Sequence, residues 1–140
     1  MTSRGALRRA ATRIWASPAS LAGLLLAPLA IAGPRGRIRV VRGVVEASGG
    51  LLAPLLSRVN PWFPIQAITF GHVVLGVSAD VLDHCRVHER IHVRQYERWG
   101  PLFPLLYLAS SVAGLRRGRG LYEGNAFERE AFAAERGVAR

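Results

Sequence analysis

Residues 87–93 read Val-His-Glu-Arg-Ile-His-Val, a His-Glu-x-x-His motif near the middle of a segment with helical periodicity. In an α-helix, residues four apart lie nearly above one another, so His88 and His92 project their imidazoles toward one point. Glu89 follows the first histidine by about 100° of helical rotation. This spacing predicts two ligands for one zinc ion, with Glu89 beside the metal as the general base that acts on a water molecule.

A helix is predicted around this motif, from about Asp80 to Trp99. Ser78 supplies N-cap chemistry at its start, and Gly100-Pro101 ends it. Mostly apolar residues share the face of His88, and arginines occupy the opposite face. A buried face that carries two histidines at this spacing, with a carboxylate beside them, favours a metal site over two ordinary core histidines.

The other two histidines are predicted to have different roles. His84 lies one turn before His88 on the same face, but three successive histidines on a straight helix cannot easily all reach one tetrahedral ion. We therefore expect His84 at the rim of the site or in contact with a ligand. His72 falls between two strand-like segments and is predicted to be a turn or strand residue that is bonded to backbone.

A catalytic zinc site needs three protein ligands and one open position. No histidine follows His92, so the third ligand is predicted to be a carboxylate on a later helix. The candidates are Glu123, Glu128, Glu130 and Glu135.

Residues 125–132, Asn-Ala-Phe-Glu-Arg-Glu-Ala-Phe, resemble the Glu-x-x-Ala-Asp motif of gluzincin zinc metallopeptidases, in which a glutamate ligand follows His-Glu-x-x-His on a later helix. The resemblance covers about residues 65–135. It is greatest to small bacterial domains and to membrane-embedded heat-shock and prenyl-protein peptidases, and residues 88–100 also resemble small uncharacterised bacterial proteins. Aligning Ala131 with the alanine of the motif implies that Glu128 is the ligand, with Glu130 next.

The resemblance implies hydrolysis of a peptide bond in a peptide or protein substrate, with Zn²⁺ as cofactor. Related peptidases bind extended peptides on an edge strand, which implies the same role for the strand-like segment 65–77. Two positions depart from the family pattern. Phe132 stands where those peptidases have an aspartate that orients a ligand, and the oxyanion donor is open between Tyr122, Tyr96 and Arg129.

We predict an α+β fold, in which a small antiparallel sheet is followed by the His-Glu-x-x-His helix, an apolar helix and a C-terminal helix that carries Glu128. These elements form a metallopeptidase-like domain at residues 35–140. The predicted elements besides the metal-binding helix are a hairpin at 37–48, a helix at 51–59, a rigid loop at 60–64, strands at 65–70 and 73–77, and helices at 101–115 and 125–136.

Residues 1–34 are predicted to be a separate basic and apolar N-terminal membrane segment. Four arginines precede an almost uncharged run at 14–33. This run has three interpretations: a cleaved signal peptide, a retained anchor, or an in-plane or re-entrant segment weakened by Pro18 and Pro28. We favour a retained segment, partly because the arginines that follow at 35, 37 and 39 would hinder export.

The chain has a formal charge of +10, and all 19 of its basic residues are arginines, spread along its length. Without a recognisable nucleic-acid module, basic clusters that flank apolar runs favour a membrane-associated protein that contacts lipid head groups over a nucleic-acid partner. The single cysteine, Cys85, excludes an internal disulfide. Two functional alternatives remain: a non-catalytic metal-binding protein and a membrane-surface interaction protein.

Overall fold

A computed structural model describes residues 3–60, 62 and 64–138 and gives an α+β fold. The predicted rigid loop at 60–64 includes positions 61 and 63, which lie outside the described residues. The elements in chain order are α1 (Ser3–Trp15), α2 (Ser17–Leu26), a 3₁₀ turn (Ala27–Ala30), β1 (Arg37–Val41), β2 (Val44–Ser48), α3 (Leu52–Val59), β3 (Ala67–Phe70), β4 (Val73–Gly76), α4 (Ala79–Trp99), a second 3₁₀ turn (Gly100–Leu102), α5 (Phe103–Arg116) and α6 (Ala126–Val138).

The described strands form one mixed sheet in the order β1-β2-β4-β3. The predicted hairpin of β1 and β2 is present, and the two later strands, β3 and β4, form a second antiparallel pair. The prediction of a wholly antiparallel sheet is wrong, because β2 and β4 run parallel, with Val45 opposite Val73. The connection through α3 leads from β2 to β3, which runs antiparallel to β2 on the far side of β4, and the β3–β4 turn brings β4 back between them and parallel to β2. As a result, β3 forms one edge of the sheet.

The two faces of the sheet are covered by different parts of the chain. On one face, Leu75 packs with Leu52 and Leu56 of α3 and with the first 3₁₀ turn. On the other face, Val74 packs with Leu82 and Val93 of α4. The alternation of neighbouring residues in β4 between the two faces follows from the pleat of a strand. The sheet therefore carries α4 on one face only.

Part of the predicted N-terminal segment packs against the sheet. A Cβ atom at Gly23 would lie 2.6 Å from the Cβ of Val73, so only glycine lets α2 approach β4 this closely. The hydroxyl of Ser20 also accepts a 2.9 Å hydrogen bond from the backbone N–H of His72. Among the described helices, none is by itself long and apolar enough to cross a bilayer; residues 5–15 and 17–30 meet the criterion together, with a 60° bend between them.

The capping prediction for α4 is confirmed, because the Ser78 side chain accepts a hydrogen bond from the N–H of Val81. The face of α4 that carries arginines was expected to lie opposite the buried face, but Arg86 on that face contacts the sheet. Arg86 donates to both carboxylate oxygens of Glu46 on β2, at 2.9 and 3.0 Å, and Arg39 of β1 binds the same carboxylate. These ion pairs hold α4 at a defined position on β1 and β2.

Asn125 joins the last two helices. Its side chain is fully buried and donates to the Tyr107 carbonyl oxygen at 3.0 Å and to the Ser111 hydroxyl at 2.8 Å. Its own Oδ1 accepts a 2.9 Å bond from the N–H of Phe127, as an N-cap does. The cap sets the first turn of α6, and Glu128 lies in that turn.

Candidate metal centre

The structure brings together His88 and His92 of α4 and Glu128 of α6. The two Nε2 atoms are 3.2 Å apart, His88 Nε2 lies 3.1 Å from Oε2 of Glu128, and His92 Nε2 lies 3.3 Å from Oε1 of the same carboxylate. All three side chains are buried, and this group can hold a metal ion.

These separations suit tetrahedral coordination. Nitrogen and oxygen ligands about 2.0–2.1 Å from a tetrahedral ion lie about 3.3–3.4 Å from one another. The three measured distances are 3.1–3.3 Å. The donor set would therefore need only small adjustments to surround such an ion.

The electrostatics of the three residues favour a carboxylate at this position. Burial by itself would raise the pKa of Glu128, but hydrogen bonds to His88, His92 and Tyr107 outweigh that effect and lower its pKa well below the usual range. Burial likewise opposes protonation of His92, yet the neighbouring carboxylate raises the pKa of its ring. Glu128 is thus ionised at neutral pH, as a metal ligand must be.

Gln95 orients His92 from the next turn of α4. The Oε1 atom of Gln95 lies 2.8 Å from Nδ1 of His92, and Gln95 is buried, with 4% of its surface exposed. Its amide nitrogen donates to the carbonyl oxygen of Phe127 at 3.1 Å and to Oε2 of Glu130 at 2.9 Å. Because the amide nitrogen is committed as a donor, the amide oxygen accepts from Nδ1–H, and Nε2 is left free for a metal. The i, i+3 spacing to His92 is the only sequence signal for this contact.

Glu128 and Glu130, the two alternatives for the third ligand, point to different partners. Glu128 points at both imidazoles, whereas Glu130 accepts the hydrogen bond from Gln95. Glu135, one turn beyond Phe132, brings its Oε2 to 3.7 Å from Nδ1 of His88. Phe132 itself packs edge-on against the His88 ring, with centroids 4.7 Å apart. Gln95 contacts His92, and the carboxylate of Glu135 lies near His88. These two side chains contact the histidines here, whereas the gluzincin pattern has an aspartate at the position of Phe132.

Glu89 lies beside the three-residue group on the same helix. It is buried, and its Oε2 accepts a 2.7 Å hydrogen bond from the hydroxyl of Thr69 on β3. The carboxylate and the metal-binding group line one cleft. Thr69 lies twenty residues before Glu89 in the chain, and no motif pointed to it.

Two tyrosines approach the carboxylate of Glu128. The hydroxyl of Tyr107 on α5 donates to Oε1 at 2.6 Å, a contact that sequence reasoning missed. Tyr122 lines the cleft, and burial together with the charge and hydrogen bonding of Glu128 raises the pKa of its phenol. Both phenols are therefore protonated donors at neutral pH. Of the other oxyanion candidates, Tyr96 packs against Phe103, with ring centroids 4.5 Å apart, and Arg129 is exposed outside the cleft lining.

The remaining histidines take no part in the three-residue group. His84 is exposed and lines the mouth of the cleft, in agreement with its predicted place at the rim. His72 lies in the β3–β4 turn and is bonded to backbone as predicted, because its carbonyl oxygen accepts a 2.9 Å hydrogen bond from the N–H of Val45. Its ring also contacts Oε1 of Glu97 at 2.9 Å.

The cleft over the metal-binding group has a volume of about 1360 Å³. Its walls are β3 and residues just before it, one face of α4, the start of α5, the loop at 120–123, α6 and two residues of α2, Ala19 and Ala22. Cys85 also lines it, and burial raises the pKa of its thiol to about 12. A thiol that stays protonated at neutral pH is a weak nucleophile.

No protein family model, no curated protein and no solved structure shows a match to this chain. The gluzincin resemblance therefore rests on the two motifs and on the grouping of His88, His92 and Glu128 in space.

Proposed function

We propose that this protein is a membrane-associated zinc metallopeptidase. The observation that carries the proposal is the grouping of two Nε2 atoms and one carboxylate, 3.1–3.3 Å apart, at the base of a cleft that Glu89 also lines. A His₂Glu donor set with one open position is typical of zinc sites that hydrolyse peptide bonds. Two nitrogen donors and one oxygen donor at these separations favour zinc over the harder cations magnesium and calcium, which prefer oxygen ligands.

When bound, zinc would act as a Lewis acid that lowers the pKa of a water ligand to about 7. Glu89 takes a proton from the attacking water as its oxygen bonds to the peptide carbonyl carbon, and delivers that proton to the amide nitrogen as the C–N bond breaks. Thr69 holds Oε2 of Glu89, so Oε1 is the oxygen free for this transfer. Tyr122, a protonated phenol in the cleft, is the donor that we assign to the developing oxyanion.

The edge strand β3 is the proposed peptide-binding element. All four residues of β3 line the cleft, and none of the described strands pairs with its outer side. An extended peptide could add to this edge through backbone hydrogen bonds, with its scissile carbonyl beside the metal. Thr69 alternates with Ile68 and Phe70 along the strand, so its hydroxyl faces Glu89 while the strand backbone remains available.

Membrane association is proposed from the exposed face of α5. Leu105, Leu108, Val112 and Leu115 are 67, 61, 38 and 54% exposed, and their 3-4-3 spacing places them within about 80° of the helix circumference. Arg116 and Arg117 follow directly and are exposed. An apolar stripe that ends in cations matches the chemistry of a bilayer surface with anionic head groups.

The test of the proposed peptidase is metal analysis of the purified protein beside cleavage of unstructured protein substrates such as casein. We expect about one zinc per chain in the wild type, retained in Glu89→Gln and strongly reduced in Glu128→Ala. Glu130→Ala is the matched control on the same helix, and it should retain most of its zinc. Cleavage should be lost in Glu89→Gln and in Glu128→Ala.

The possible outcomes separate the competing functions. Zinc at one equivalent with no cleavage of any substrate would support a metal-binding protein without peptidase activity. Equal zinc in the wild type and in Glu128→Ala would contradict the assigned ligand set. Wild-type protein that folds without bound metal, with unchanged stability in His88→Ala, would contradict the metal site as a whole.

A further inference from the structure

Charge is partitioned sharply between the cleft and the rest of the molecule. The chain carries 19 arginines and nine acidic residues. No arginine belongs to the described lining of the cleft, whereas five carboxylates do. These carboxylates are Asp80, Glu89, Glu123, Glu128 and Glu135. A protein with a formal charge of +10 thus has an acidic cleft.

The proposed chemistry accounts for only two of these carboxylates, Glu89 and Glu128. Asp80 lies in the first turn of α4, and Glu123 lies in the loop between α5 and α6. Both are exposed, and neither forms an ion pair with any residue that the structure describes. Glu135 is half-buried on α6, 3.7 Å from the ring of His88.

Unlike Asp80 and Glu123, each of the four carboxylates outside the cleft binds an arginine, a histidine or a glutamine side chain. Asp83 and Glu46 bind arginines, Glu97 binds His72, and Glu130 accepts from Gln95. Asp80 and Glu123 are therefore the carboxylates that remain free for an incoming positive charge, and they lie on different elements of the cleft wall. Much of the remaining cleft wall is apolar, with side chains such as Ile68, Phe103 and Leu121.

We propose that the cleft selects polypeptide segments in which apolar side chains are flanked by arginine or lysine, and discriminates against segments flanked by glutamate or aspartate. This inference rests on the proposed peptidase function, because it names the substrate class of the same site. An apolar side chain would fill the space of about 1360 Å³ beside the metal-binding group. Basic flanking residues would approach Asp80 and Glu123, whereas acidic ones would face like charges with no arginine in the cleft wall to pair with.

The test uses the zinc-loaded Glu89→Gln protein, in which binding is measured without cleavage. Two ten-residue peptides share one apolar centre with amidated and acetylated ends, and carry either two arginines or two glutamates at each flank. Isothermal titration at low salt should show roughly tenfold tighter binding of the arginine-flanked peptide, and the ratio should fall as sodium chloride is added. The formal charge of +10 would by itself favour the acidic peptide, so the opposite preference is diagnostic of the cleft.

Adding Asp80→Asn and Glu123→Gln to the same protein should reduce the preference to about twofold or less. Glu97→Gln, which neutralises a carboxylate outside the cleft lining, is the matched control and should leave the preference unchanged. Equal binding of the two peptides, preference for the acidic one, or no binding of either would overturn the inference. If the arginine preference holds but the wild type cleaves neither peptide, the inference stands and the proposed peptidase activity fails.

Discussion

The hydroxyl of Thr69 donates a 2.7 Å hydrogen bond to Oε2 of Glu89, and this bond connects the edge strand of the sheet to the carboxylate proposed as general base. Both residues are buried, so the bond is shielded from competing water. A substrate added to β3 would thus contact a strand that already orients the base. In this arrangement, substrate binding and proton transfer depend on the same short strand.

Replacing Thr69 by valine should lower kcat about 10- to 100-fold, because Glu89 loses the bond that orients it. Zinc content and KM should stay close to wild type, since the change touches neither the metal ligands nor the backbone of β3. Thr69→Ser keeps the hydroxyl and should restore most of kcat. Steady-state kinetics and metal analysis of the wild type, Thr69→Val and Thr69→Ser test this prediction. A serine variant as slow as the valine variant would argue against a role of the Thr69 hydroxyl in orienting Glu89.

Replacing Gln95 by leucine should weaken zinc binding about 10- to 100-fold, because the acceptor for Nδ1–H of His92 is lost. Competition with a chromogenic chelator measures the affinity. Arg94→Ala, a change at the neighbouring exposed position, serves as the control and should bind zinc as the wild type does. Unaltered affinity in the leucine variant would mean that His92 is oriented by packing alone.

Replacing Asn125 by alanine should lower the free energy of unfolding by about 2–4 kcal/mol, because one N-cap bond and two buried donor bonds are lost together. Urea unfolding followed by circular dichroism measures the loss. Asn125→Asp keeps the cap oxygen but loses the donors to Tyr107 and Ser111. Its free energy of unfolding should therefore lie between those of the wild type and the alanine variant. A loss below about 0.5 kcal/mol in the alanine variant would contradict the role of Asn125 in joining α5 to α6.

Replacing Glu46 by glutamine should destabilise the fold by roughly 1–3 kcal/mol near pH 7, because Arg39 and Arg86 lose their shared carboxylate. Burial would raise the pKa of Glu46, but the two arginines outweigh it, and the pKa is lower than the value of 4.5 in an unfolded chain. Because the pKa of Glu46 is lower in the folded state, its carboxylate contributes fully to stability above pH 4.5. This contribution is lost as the pH falls through the pKa of Glu46 in the folded protein. The difference in unfolding free energy between wild type and variant should shrink accordingly when measured between pH 7 and pH 3. A difference independent of pH would show that the carboxylate charge is not its source.

Replacing both Leu105 and Leu108 by serine should reduce binding to phosphatidylglycerol vesicles about tenfold or more, because two exposed side chains of the α5 stripe lose their apolar contact with lipid. Vesicle co-sedimentation measures the partition, and phosphatidylcholine vesicles should bind the wild type more weakly because they lack the anionic charge that Arg116 and Arg117 would meet. Leu51→Ser, at an exposed position outside α5, is the control. Equal partition of all three proteins would place the membrane contact elsewhere.

Local sequence determined the helix that carries His88 and His92, its serine cap and its histidine spacing, because periodicity, capping and the i, i+4 relation depend on neighbours within a few residues. It also determined the hairpin of β1 and β2 and the two strands β3 and β4, since these segments are rich in β-branched residues and are separated by turns. Tertiary structure alone decided that β2 and β4 pair in parallel and that Glu128 and not Glu130 faces the imidazoles. It also decided that Thr69 binds Glu89, that Tyr107 binds Glu128 and that Asn125 joins α5 to α6. Glu128 and Glu130 are chemically identical and lie two residues apart, about 200° around a helix, so only the packing of α6 on α4 could distinguish them.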